Sequence, residues 1–135
     1  MEKQPTCEER VAEALASRME DITAMWKAEC EGNEEGPEDL GTLNEYGLSV
    51  SYIDPENGEP GYFCYLISWG GPSEEFRFYT DPGFRLYKIE FWYKDWFDGA
   101  RLPVNGADLE TLNEIWESWR DCDALEHWYQ QAQEA

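Results

Sequence analysis

The groups in this chain able to do chemistry are thirty carboxylates, four cysteines and one histidine. His127 follows Cys122 by five residues, a spacing that sets the two on different sides of a helix, so no Cys-His dyad is expected there. The cysteines, Cys7, Cys30, Cys64 and Cys122, lie far apart without a CxxC pair. That spacing argues against zinc and for reduced thiols packed mostly as small hydrophobes. No GxSxG, P-loop or HExxH pattern occurs. DPENGE resembles a calcium loop in composition, but Pro55 and its short length fit a hairpin turn better. Paired carboxylates can act as acid and base, yet among thirty nothing singles out a pair. The expectation is a protein that is not an enzyme and holds no metal or cofactor.

What remains is the charge itself. The formal net charge is −20 over 135 residues, well beyond the magnitude of roughly 2 to 8 that keeps a small domain soluble. Self-repulsion at that level works against the compact state, so solubility alone is a weak reason for it. The stretch ECEGNEEGPEDL, residues 29 to 40, carries Glu29, Glu31, Glu34, Glu35, Glu38 and Asp39 and no base; from Ala28 to Phe76 twelve acids occur without a Lys, Arg or His. Direct binding to nucleic acid or an anionic membrane is disfavoured, because their phosphates would be repelled. A cationic partner is the natural complement.

The elements that must position these groups follow from pattern. Hydrophobic residues make up 41% and aromatic residues 16% of the chain, too apolar for an acidic disordered tail, and the length suits one domain with its own core. Thr6 with Glu9 forms a capping box, and Val11, Leu15, Ile22, Met25 and Trp26 recur at helical spacing, predicting a helix over about 7–29. Gly32, Gly36 and Pro37 then break it into an acidic loop, 30–44. Strand patterns fill 45–97 as an antiparallel four-stranded meander: EYGLSVSYI and GYFCYLISW around the Asn57-Gly58 turn, EEFRFYT after Gly70-Gly71-Pro72, and FRLYKIEFWYKDW after Asp81-Pro82-Gly83. Alternation assigns Phe63, Tyr65, Ile67, Trp69, Phe76, Phe78, Tyr87, Ile89, Phe91 and Tyr93 to a buried side, with Glu75, Arg77, Lys88, Glu90 and Lys94 opposite. Trp92 and Trp96 share the polar phase, as exposed anchors or as packing beneath a loop or in a homodimer.

After Pro103, one or two C-terminal helices are expected over about 107–132, with a break near Asp121 to Asp123. The whole is an α+β single domain with its helices on one face of the sheet. On the first of these helices Leu112, Ile115, Trp116 and Trp119 cluster on one side. Glu110, Glu114, Glu117 and Asp121, at i, i+4, i+7 and i+11, form a nearly straight row about 16 Å long on the other. Like charges at this spacing cost a few tenths of a kcal/mol each, and acids near a helix C-terminus oppose its dipole. Glu13 and Glu20, with Glu9, repeat the theme more weakly on the N-terminal helix, where Lys27 dilutes it. Residues 1–44, 45–105 and 106–135 carry −8, −5 and −7, so the helices and the loop hold more than their share.

Duplex DNA presents one negative charge per roughly 1.7 Å of axis, and its binding proteins line their grooves with Lys and Arg. Carboxylate rows at about 5 Å spacing suit such a groove. The expectation is a DNA mimic that fills a basic, nucleic-acid-binding channel. The alternatives are the general acidity of a halophile's proteins and an immunity protein or antitoxin that neutralises a cationic nuclease.

The block GYFCYLISWGGPSEEFRFYTDPGFRLYKIEFWYKDWFDGA resembles a family of small acidic proteins of bacterial plasmids and prophages, with similarity from about Leu43 to Trp119. SWGGPSEEFRFY and FWYKDWFDGA are its most specific segments, and the resemblance carries over no functional residue. It implies a mobile element, whose needs include evasion of CRISPR and restriction complexes. A compact domain suits a short basic channel, such as a PAM-reading site, better than a long restriction-enzyme groove, which sets anti-CRISPR ahead of antirestriction. With no apolar segment at the N-terminus and no run near the roughly 18 residues of a membrane span, the expected location is the bacterial host cytoplasm, as monomer or homodimer.

Overall fold

The computed structural model describes residues 6–38, 40–69, 72–95 and 98–134, with the side chain of residue 44 excepted. Its elements are α1 (Cys7–Cys30), α2 (Leu43–Tyr46), β1 (Ser49–Ile53), β2 (Tyr62–Ser68), β3 (Ser73–Thr80), β4 (Leu86–Asp95), β5 (Asp98–Pro103), α3 (Gly106–Asp121) and α4 (Ala124–Glu134). The five strands form one antiparallel sheet in sequence order. The expected α+β meander is present with a fifth strand. β5 pairs with β4 from Asp95↔Asp98 to Glu90↔Pro103, and its apolar signal is only Ala100 and Leu102. Pro103 ends it on the sheet edge, where a missing N–H donor is tolerated.

Turn chemistry set the connections. Asn57 and Gly58 take φ of 51° and 81° and close the β1–β2 hairpin through an isolated bridge of Glu56 with Glu59. Asp81 Oδ1 accepts from the amides of Gly83 and Arg85, which fixes the β3–β4 turn. Phe84 there sits at φ 62°, a left-handed conformation costly for an aromatic residue. Its ring packs against Phe63 and Tyr129, contacts that offset the strain. The first strand begins at Ser49 and not Glu45, because Thr42 and Glu45 cap the short α2 instead: Glu45 Oε1 accepts from the Thr42 amide at 3.3 Å. At α1, the Thr6 hydroxyl accepts from the Glu9 amide at 3.2 Å.

The helices cover one face of the sheet, and Phe63, Phe76, Phe78, Phe91, Ile22 and Trp116 are wholly buried between the layers. Alternation placed the buried face correctly except at two bulges. Between Leu66 and Ser68 the β2–β3 register shifts, so Ser68 turns its hydroxyl to Glu74 beneath α1 and Trp69 is left 75% exposed. On β4 the pairings Tyr79↔Lys88 and Thr80↔Leu86 leave Tyr87 out of register and 57% exposed. An extra residue in one strand reverses the inward and outward phase beyond it. Trp92 is half-buried, not an exposed anchor, while Trp96 and the Gly70-Gly71 turn lie outside the described residues.

A candidate acidic partner-binding surface

The rotation of α3 is fixed by Trp116. Its ring stacks on Phe78 at 5.4 Å and meets Phe63 edge-on at 5.3 Å, and its indole N–H donates to the Phe84 carbonyl at 3.2 Å. Leu112 and Ile115 are buried beside it. With that side turned inward, Glu110, Glu114, Glu117 and Asp121 all face solvent. Arg120 is the nearest base, 3.5 Å from Glu117. Asp123, at φ 62°, breaks the helix where the change of apolar phase predicted.

On α1 the buried residues Val11, Met19, Ile22 and Met25 leave Glu13, Glu20 and Glu29 exposed. The bases of this helix behave differently. Arg10 turns to Asp95 at 2.9 Å. Arg18 grips Glu74 with two bonds, at 3.1 and 2.7 Å, and also donates to the Tyr46 hydroxyl. These bonds to anions raise the pKa of both guanidinium groups. Among the described residues, Lys27 and Arg120 are the exposed Lys and Arg side chains of α1, α3 and α4.

The acidic loop is built rather than loose. Asn33 donates to the Gly36 carbonyl and accepts from the Glu35 amide, while the Leu40 and Gly41 amides return to the Pro37 carbonyl. Gly36, at φ 74°, admits no side chain, because a Cβ there would collide with the Gly41 carbonyl. Glu31, Glu34, Glu35 and Glu38 are exposed on this frame, and Asp39 lies outside the described residues. Between the loop, α1 and α2 is an open hollow of about 600 Å³ lined by Met25, Glu29, Asn33, Glu34, Leu43 and Glu45. α1 packs on both α2 and α3, and α3 on α4. The described candidate carboxylates therefore lie on adjoining elements of one layer.

The uncovered face of the sheet contrasts with this layer. Arg77, Lys88, Lys94 and Arg101 gather there with Glu75 and Glu90. The Arg77 guanidinium lies 3.7 Å from the Trp92 ring centre, with Lys94 and Arg101 at 5.3 and 5.2 Å. Glu75 is 8% exposed, paired with Arg77 at 2.8 Å. It accepts a hydrogen bond from the Cys64 thiol. Burial, then the Glu75 charge, raise the pKa of that thiol, so it serves as a donor rather than a thiolate. Cys7 is also buried, but Cys30 and Cys122 are exposed, so only half of the cysteines are packed inward. Sequence alternation put Arg77, Lys88 and Lys94 on one face, but did not place Arg101, carried by the unforeseen β5, nor the gathering of Arg77, Lys94 and Arg101 around Trp92.

Among the described residues no group of three or more His, Cys, Asp or Glu side chains is arranged to hold a metal ion, and no helix is long and apolar enough to cross a membrane. No family model, curated protein or solved structure matches this chain, which leaves the surface itself as the ground for function.

Proposed function

We propose that this chain is an acidic DNA mimic that inhibits a bacterial defence complex, an anti-CRISPR that blocks duplex DNA or PAM binding by a type I surveillance complex. The observation that carries the reading is the sorting of charge. α1 ties two of its three bases to sheet carboxylates, Arg10 to Asp95 and Arg18 to Glu74, while every described candidate carboxylate faces solvent. Acidity that served only solubility would not need the arginines of the same layer paired with sheet carboxylates. A groove that binds duplex DNA is lined with Lys and Arg, and exposed acids at helical spacing offer it substitute anions in place of phosphate.

Placing like charges against each other across such an interface costs several kcal/mol. Reversing Glu110, Glu114 and Glu117 to Lys is therefore expected to abolish inhibition while far-ultraviolet circular dichroism and melting stay near the parent's, since all three side chains are exposed. An unchanged inhibitory titration with a target CRISPR complex removes α3 from the site. Inhibition of a restriction enzyme instead supports the antirestriction form of the same mimicry, and neutralisation of a lone cationic toxin supports an immunity protein.

A further inference from the structure

The helix layer covers one side of the sheet, and among the described residues the other side carries no helix. We propose that a second copy of this chain docks there, sheet to sheet, to form a two-fold dimer with both helix layers outward. The first ground is charge. A chain of net charge −20 repels its own copy on any approach through the helices or the acidic loop. On the uncovered face four bases stand among Glu75, Glu90 and the hairpin acids Asp54, Glu56 and Glu59, so the two signs nearly balance there and the repulsion between copies is least. Two-fold contact requires a self-complementary patch. A patch bearing both signs meets that requirement, and a single-sign layer does not.

The second ground is shape and apolar exposure. Arg77 lies over Trp92 and over Tyr62, at 4.5 Å, and is largely covered, while Lys94 and Arg101 reach solvent beside it. Ile53 is 40% and Tyr87 57% exposed. Ile53 pairs with Tyr62 on this side, and the Tyr87 ring lies 6.4 Å from that of Tyr79. The β1–β2 hairpin rises beside the face and leaves a hollow of about 360 Å³ over Tyr62, Arg77 and Trp92. Five strands about 4.8 Å apart and averaging about 23 Å long give a face of roughly 550 Å², or about 1,100 Å² for two copies. That is the low end of specific interfaces and fits a weak dimer.

The dimer does not depend on the proposed inhibition, and its test uses the chain alone. Sedimentation velocity is run up to roughly 100 µM protein in about 50 mM and about 500 mM NaCl, with circular dichroism as the check of folding. The expected result is a dimer that tightens about tenfold as salt screens the repulsion. Ile53→Glu with Tyr87→Glu, both at exposed positions, is expected to remain monomeric at both salts. Glu110→Lys with Glu114→Lys is expected to dimerise at lower salt than the parent. A parent that stays monomeric at high salt, or a dimer that survives the Ile53/Tyr87 change, overturns the proposal; so does loss of the dimer in the α3 variant.

Discussion

Replacing Arg18 by Met tests the pairing of the α1 bases with sheet carboxylates. Arg18 reaches from α1 to Glu74 at the start of β3, and Glu74 is 7% exposed. The same guanidinium donates to Tyr46 Oη at 2.9 Å, and Tyr46 donates to Asp21 at 2.7 Å, so one side chain ties α1, α2 and the sheet. Methionine keeps the length and removes the charge, leaving the Glu74 carboxylate with the Ser68 hydroxyl as its remaining neutral donor. Breaking a buried pair in this way costs about 3 kcal/mol. Unfolding entropy of about 2.1 cal/mol/K per residue then gives a fall in Tm of about 10 °C for a domain of this size. Urea titration gives the free energy and calorimetry the Tm. Adding Glu74→Leu to the variant is expected to restore most of the loss, since removing both partners is close to neutral, and the cycle then gives a coupling of about 2 kcal/mol. A loss below about 1 kcal/mol for Arg18→Met, or no recovery in the double variant, would refute the reasoning. Because Arg18 is tied to Glu74, the variant is also expected to inhibit as the parent does at temperatures where it is folded.

The net charge predicts that Tm rises between about 20 and 200 mM NaCl as self-repulsion is screened; a flat Tm contradicts it. Reversing Glu31, Glu34, Glu35 and Glu38 to Lys examines the loop, and inhibition is expected to fall without loss of Tm, whereas an unchanged titration takes the loop out of the site. Asp98 accepts from the Cys7 amide at the start of α1, at 2.8 Å, and that bond holds its pKa below the ordinary value. A carboxylate depressed in the folded state gives stability that is complete above its unfolded pKa and is lost as pH falls through the folded one, so the window lies below about pH 4. Urea midpoints followed across that window are expected to fall less steeply for Asp98→Asn than for the parent, and identical slopes would exclude this contact as the source.

Much of the architecture was legible because its signals are local. The stripe of Val11, Ile22 and Met25, the Asn57-Gly58 turn and the change of phase at Asp123 each depend on a few neighbouring residues. Trp69 and Tyr87 were assigned to the wrong side because a bulge is settled by a partner strand, which periodicity along one strand does not report. β5 was hidden by its Gly99 and Pro103 and its two inward apolar side chains, and pairing with β4 made it a strand. The exposure of Glu110, Glu114 and Glu117 followed from opposition to Leu112 and Trp116. The pairing of Arg10 and Arg18 did not, since their partners Asp95 and Glu74 are 85 and 56 residues away.

The most direct test of the central claim is capture from a bacterial lysate on the immobilised chain, followed by elution with increasing duplex DNA of about 30 base pairs. The account predicts that a CRISPR or restriction complex is retained, that duplex releases it in proportion to its own affinity for that complex, and that the α3 triple-lysine chain retains none. Retention of a complex that saturating duplex leaves in place would contradict it, as would retention of a lone toxin.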